Sequence, residues 1–121
     1  MRIDDTRPIW IQLADSFRGR ITDGTWKPGE KIPSVRDLAI EAGTNPNTVQ
    51  RALSALDEEG LTLPKRTAGR FVATDERALH ALRKNDAHLA ADAYIRACRS
   101  LGIDLEGAQA LIDQRWDATE K

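Results

Sequence analysis

One cysteine, one methionine and one tyrosine occur in the 121 residues, and aromatic residues make up only 5%. A lone thiol can form neither an internal disulfide nor a cysteine-based zinc site, which excludes the disulfide-stapled secreted scaffolds and points to a reducing compartment. Long apolar runs are also missing. Nothing approaches the ~20 apolar residues of a membrane-spanning helix, and Met1 to Pro8 holds no signal-peptide core, so a cytoplasmic chain with no membrane partner is expected. Proline (5) and glycine (8) are scattered, which excludes low-complexity and collagen-like classes. An excess of positive charge is absent too, since the formal net charge is −1. Residues 1–73 carry 11 Lys and Arg against 10 Asp and Glu, and residues 74–121 carry 7 against 9. That balance argues against nucleic acid only if charge is spread evenly, because phosphates are engaged by a local patch. Residues 60–73 hold Lys65, Arg66 and Arg70 and no acid.

What is present is 40% hydrophobic and 31% charged, the composition of an ordered globular chain. The length fits one ordinary domain or a small domain with an appendage, and at this size roughly two-thirds of the unfolded chain's surface can be buried.

Pro8 suits a first helical turn, and Ile9, Leu13, Phe17 and Ile21 follow at four-residue spacing until Gly24. Trp26-Lys27-Pro28-Gly29 reads as a turn and Lys31-Ile32-Pro33 as a brief extended piece. Ser34, three residues before Asp37, forms a variant capping box that opens a helix of about two turns, with Leu38, Ala39 and Ala42 inward and Gly43 as terminator. Asn45 as N-cap and Pro46 at the first position start a third helix only two residues later. Its apolar residues Val49, Ala52, Leu53 and Leu56 form one stripe, which leaves Asn47, Thr48, Gln50 and Arg51 facing solvent or a partner.

After Gly60 the period shortens. Residues 61–63 and 70–73 read as two strands joined by a basic tip over 64–69. Thr74 or Asp75 caps a long fourth helix with Leu79, Leu82, Leu89, Ala93, Ala97 and Leu101 at helical spacing, ending at Gly102. Asp104 caps a fifth, whose apolar positions are Leu105, Ala108, Leu111, Ile112 and Trp116. The expected fold class is therefore mainly α with a small β-hairpin: a winged helix-turn-helix over residues 1–74, then a short two-helix segment over 75–121.

Two short helices joined by a glycine turn, the second polar on its outer face, are the sequence signature of a helix-turn-helix, and a following basic hairpin makes it winged. A polar helix face taken alone is ordinarily just solvated; the ordered set of two capped helices, glycine turn and acid-free hairpin favours DNA. Asn47 and Gln50 carry amides that donate and accept at once, as an adenine edge requires. Thr48 and Ser34 are short hydroxyl donors for phosphate, and Arg36 and Arg51 suit either phosphate or guanine.

The segments Pro8 to Leu13, Lys27 to Ala39, Thr48 to Leu53, Glu59-Gly60-Leu61 and Gly69-Arg70-Phe71-Val72 resemble, in order and spacing, the winged-helix domain of the GntR family of bacterial transcription regulators. The resemblance covers Pro8 to Ala73. Asn45 to Ala52 and the short tail resemble the YtrA-like branch, whose members are as a rule cytoplasmic, homodimeric repressors. By this resemblance Ser34 and Arg36 contact DNA from the start of the second helix. Asn45, Asn47, Thr48, Gln50 and Arg51 belong to the recognition helix, and Lys65, Arg66, Thr67, Gly69 and Arg70 to the wing. Many relatives have Arg where this chain has Pro46 and Gln50, so their guanine preference does not transfer; the wing's usual first glycine is Thr67 here.

Other chemistry is thin. His88 and Asp92 form an i, i+4 pair with His80 nearby, but two ligands are not a metal site. Cys98 reads as a small buried hydrophobe, and Trp10, Trp26 and Trp116 as packing residues. No nucleophile and base, phosphate loop or cofactor motif is present, so neither an enzyme nor a cofactor is expected. The expected partners are an operator duplex, near-palindromic, and a second copy docking through the C-terminal helices, whose apolar stripes exceed what the chain can cover. A winged-helix protein-interaction module is the alternative. No small-molecule pocket is expected within the tail, since two helices enclose little volume.

Overall fold

Helix α1 (Ile9–Thr22) begins behind Pro8 and buries Gln12, Leu13, Ala14, Phe17 and Ile21 along one face. The computed structural model describes residues 4–119. Gln12 is polar yet buried because it fastens the preceding segment: its Nε2 donates to the Asp4 carbonyl at 2.7 Å and the Arg7 carbonyl at 2.9 Å, and its Oε1 accepts from the Asp4 amide at 2.9 Å. Among the described residues no buried side-chain polar atom lacks a partner, the condition under which burial of polar groups is tolerated.

Helix α2 (Val35–Ala42) is capped as its sequence implies. The Ser34 hydroxyl accepts from the Asp37 amide at 3.1 Å, and the helix closes at Gly43, whose φ of 64° is the left-handed conformation that a side chain disfavours. Thr44 N then donates back to Ala39 at 3.0 Å. Helix α3 (Pro46–Glu58) follows at once, with the Asn45 Oδ1 accepting from the Asn47 amide at 2.7 Å. Its inner face, Val49, Ala52, Leu53 and Leu56, is buried against Leu13, Phe17 and Leu38 in one core, where each large aliphatic contributes about 1.5–3 kcal/mol. Trp26 is buried in the same core with its ring 5.5 Å from that of Phe17.

Strands β1 (Thr62–Lys65) and β2 (Gly69–Val72) pair antiparallel, with Thr62 opposite Val72 and Lys65 opposite Gly69. Both lie one or two residues away from the ranges the pattern implied. Leu61 N donates to the Leu56 carbonyl at 3.0 Å, which turns Leu61 into the core before the strand begins. The tip is tighter than expected, only residues 66–68, because Thr67 adopts a φ of 65°. Pro64 is accommodated because β1 is an edge strand. On its other side β2 is bonded to the segment before α2: Ile32 N donates to Arg70 O at 3.0 Å and Val72 N to Glu30 O at 2.9 Å.

Helix α4 (Glu76–Ser100) begins within this first compact unit, which extends through Arg83. Leu79 is fully buried in the winged core and Leu82 packs against it.

Residues from Lys84 onward form a second compact unit, the remainder of α4 together with α5 (Leu105–Trp116). Here α4 buries Cys98, as expected, but not the expected stripe. Tyr94 and Cys98 pack inward, while Leu89, Ala93, Ala97 and Leu101 are exposed. Tyr94 donates to the Ala108 carbonyl at 2.7 Å, and burial, with the Cys98 side chain beside it, pushes its hydroxyl above the usual phenol range. Of the five apolar positions on α5 only Ala108 is buried, and Trp116, expected to pack, is 77% exposed.

Candidate nucleic-acid interface

The recognition-helix side chains are presented as the α3 stripe requires. With Val49, Ala52, Leu53 and Leu56 inward, Asn47, Gln50 and Arg51, which share a face at i, i+3 and i+4, are all exposed, and Thr48 is half-buried beside them. Asn47 keeps its side-chain amide free of intramolecular bonds among the described residues, whereas the Gln50 amide donates to Ser54 Oγ at 3.2 Å. Arg51 lies over the Trp10 ring, its guanidinium carbon 4.4 Å from the centroid. The first turn of α3 carries no acid, so the positive end of the helix dipole is unopposed there.

At α2, Ser34 and Arg36 are both exposed. The wing lies beside them: Ser34 and Val35 line one groove of about 400 Å³ with Lys31, Pro64, Thr67, Ala68, Gly69 and Arg70. Gly69 is favoured by its backbone. Its φ is 108°, and a Cβ there would lie 2.7 Å from Lys31 Cε, because the lysine stem crosses the wing at that point. Lys65 is exposed with its ammonium 4.7 Å from the Phe71 ring centroid, and Arg66 projects from the tip.

Charge pairing divides the cations of the first unit, though not cleanly by site: Lys27 and Arg77, outside the interface, also lack an ion pair among the described residues, and Arg70, within it, has one. Arg7 pairs with Asp15, Arg18 with Asp15 and Glu59, Arg20 with Glu41, and Arg70 with Asp57. Glu59, hydrogen-bonded to Arg18, holds that guanidinium above its usual pKa. Lys31, Arg36, Arg51, Lys65 and Arg66 have no carboxylate within salt-bridge distance among the described residues. The near-zero sum of charges thus hides a division: Arg18 and Arg20 of α1 are paired with carboxylates, while Arg51 on α3 and Lys65 and Arg66 at the wing are not, and Arg36 on α2 stands beside Asp37 in the first turn.

Three positions differ from the simple picture of donors facing outward. Asn45 has its side-chain oxygen committed to the helix cap, Thr67 shapes the tip through its backbone, and Arg70 turns away from solvent into its ion pair. Sequence reasoning missed Lys31, Trp10 and Asp57 as parts of this region. Lys31 was legible only as a strand residue, and its place against the wing depends on the pairing of residues 29–32 with β2.

A helix-turn-helix with a basic two-stranded wing is the architecture of the winged-helix regulators. The chain belongs to the GntR family: the family of bacterial regulatory proteins of that name matches residues 11–72. It is 30% identical to the HTH-type transcriptional regulator YhcF of Bacillus subtilis over 105 residues, 87% of each chain. It is 36% identical to the HTH-type transcriptional repressor YtrA of Bacillus subtilis over 70 residues, 58% of this chain and 54% of YtrA. A GntR family transcriptional regulator from Listeria monocytogenes superposes with a TM-score of 0.80 at 31% identity, over 93% of this chain and 98% of its own. The DNA-binding domain of AraR, solved in complex with operator ORR3, matches 60% of this chain and 88% of its own at 26% identity and a TM-score of 0.55. These relatives are transcription regulators rather than enzymes.

Ala90 and Ala91 on α4 are small enough to leave an apolar groove of about 590 Å³ along α5, lined also by Tyr94, Ile112, Arg115 and Trp116. No helix among the described residues is long and apolar enough to cross a membrane.

Proposed function

We propose that this protein is a cytoplasmic transcriptional repressor that binds a near-palindromic operator as a homodimer, one winged helix to each half-site. The observation that carries the DNA reading is that Arg51 on α3 and Lys65 and Arg66 on the wing are exposed and without an ion pair among the described residues, beside an α3 first turn that holds no acid. Asn47 and Gln50 read base edges, Arg51 reads a base or holds a phosphate, and Ser34, Arg36 and Thr48 engage the backbone. Lys65 and Arg66 reach phosphates from the wing, with Asn45, Thr67 and Gly69 setting the backbone that presents these groups. The operator complex of AraR, and repression by YtrA, support the same assignment here.

The dimer is built by residues 75–121, mainly those beyond Arg83. Leu89, Leu101, Leu105, Ile112 and Trp116 are exposed on a unit of two helices, and a second copy would cover them.

The test is selection of random duplexes by the full-length protein, followed by titration of the recovered and scrambled duplexes at several salt concentrations. The reading expects a two-fold symmetric consensus bound at least about 10³ times more tightly than scrambled DNA. Absence of salt-dependent duplex binding would leave the protein-interaction alternative standing in its place.

A further inference from the structure

Asp57, in the last turn of α3, is the centre of a junction that joins the recognition helix to the wing. Its Oδ2 accepts from Arg70 Nη2 at 2.8 Å and its Oδ1 from Arg70 Nε at 3.1 Å, the two-pronged geometry that a guanidinium makes with a carboxylate. The same Oδ1 accepts from the Thr62 hydroxyl at 2.5 Å. One carboxylate thereby ties both strands to the helix, Thr62 from β1 and Arg70 from β2. The side chains of Arg70 and Asp57 are only 13% and 21% exposed, so water screens the pair less than it does the ion pairs of α1.

A two-stranded hairpin is marginal in water without support. Here the distance between the wing cations and the outer face of α3 depends on what anchors the hairpin to that helix. We propose that Asp57 is a positioning residue for DNA binding: through Arg70 and Thr62 it sets the wing's place relative to the recognition helix, and Arg70 is a brace within the protein rather than a contact to the duplex. Occupied by two charge-assisted bonds, Arg70 would have to abandon Asp57 to meet a phosphate, leaving a half-buried carboxylate without its cation at the negative end of α3. Lys65 and Arg66, free of carboxylates, face no such cost. The inference rests on the DNA-binding reading for its consequence but not for its structural content.

The full-length variants Asp57→Asn and Arg70→Met separate the two roles, because each removes the ion pair while Met retains much of the arginine stem. Without DNA, amide exchange is measured at wing residues 65–72 and, as an internal reference, at Val49 and Leu53. Each variant is expected to speed wing exchange about tenfold and leave the α3 amides unchanged. Against the selected duplex and a random-sequence duplex, each should weaken binding by a similar factor, the double variant no further than either, with the salt slope unchanged. The proposal is overturned if wing exchange does not change, or if the α3 amides accelerate equally. It is also overturned if Asp57→Asn tightens DNA binding while Arg70→Met lowers the salt slope by about one, the signature of a phosphate contact released from competition. Failure of the wild type to bind any duplex would remove the regulatory reading alone; the exchange measurement would still decide whether Asp57 holds the wing.

Discussion

The guanidinium of Arg51, on the outer face of α3, stacks over the ring of Trp10 near the start of α1, 4.4 Å from its centroid. The ring supplies a flat support that limits where a long flexible side chain can go, and a cation over an indole face gains about 0.5–1 kcal/mol at an exposed site. Trp10→Leu should therefore weaken operator binding by roughly two- to fivefold through Arg51. Arg51→Lys should lose more, since an ammonium keeps the charge but not the planar fork. Titration of both variants and of the double substitution checks this: in Arg51→Ala the Trp10 change should have no further effect on DNA.

Recognition helix and wing should fail in different ways. Asn47→Ala or Gln50→Ala is expected to cost about 1–3 kcal/mol on the preferred operator and to relax base preference at one position per half-site. Arg66→Ala should weaken preferred and scrambled duplexes alike and make the salt slope shallower by about one. If the amide substitutions leave the preferred-to-scrambled ratio unchanged while Arg66→Ala abolishes it, specificity resides in the wing.

Thr67 holds a φ of 65° with a β-branched side chain, and its hydroxyl bonds only the neighbouring Arg66 carbonyl. That backbone costs a non-glycine residue roughly 1–2 kcal/mol, so Thr67→Gly should raise stability by up to about 1 kcal/mol once the extra freedom of glycine when unfolded is deducted. Gly69→Ala should act in the opposite sense, because its φ of 108° opposes a Cβ, while the end of the flexible Lys31 side chain can move aside. Urea unfolding of the two variants measures the signs.

Two truncations distinguish the units of the chain. A fragment ending at Arg83 keeps Leu79 in the winged core and is expected to be a folded monomer with weakened operator binding. A fragment ending at Asp75 loses Leu79 and should be less stable by about 2–5 kcal/mol, the cost of emptying a buried leucine site. Sedimentation and thermal unfolding report both; a dimer in the longer fragment would show that residues beyond Arg83 are not needed for the interface.

Much of the fold was legible because the signals behind it are local. A serine, asparagine or aspartate three or fewer residues ahead of a free amide caps a helix wherever the chain is, and so α2, α3 and α5 begin at the residues their caps implied. The inward stripe of α3 settles which side chains remain outside, and Asn47, Gln50 and Arg51 follow from it without knowledge of any other element. The strand boundaries were less legible: Leu61 belongs to the core through a bond back to α3, and the tip contracts only because Thr67 accepts an unfavourable φ.

By itself the sequence determined the helix starts, the helix-turn-helix and the residues presented at the start of α3, since each depends on groups within about one helical turn. Tertiary structure alone decided which cations remain free. Arg70, Arg66 and Lys65 look alike in a basic stretch, yet Arg70 meets Asp57 from 13 residues away. Arg51 finds Trp10 on another helix, and Lys31 crosses Gly69 on another strand. The physical reason is that ion pairing and stacking fall off within a few ångströms, so a side chain's partner is chosen by where elements distant in sequence are packed.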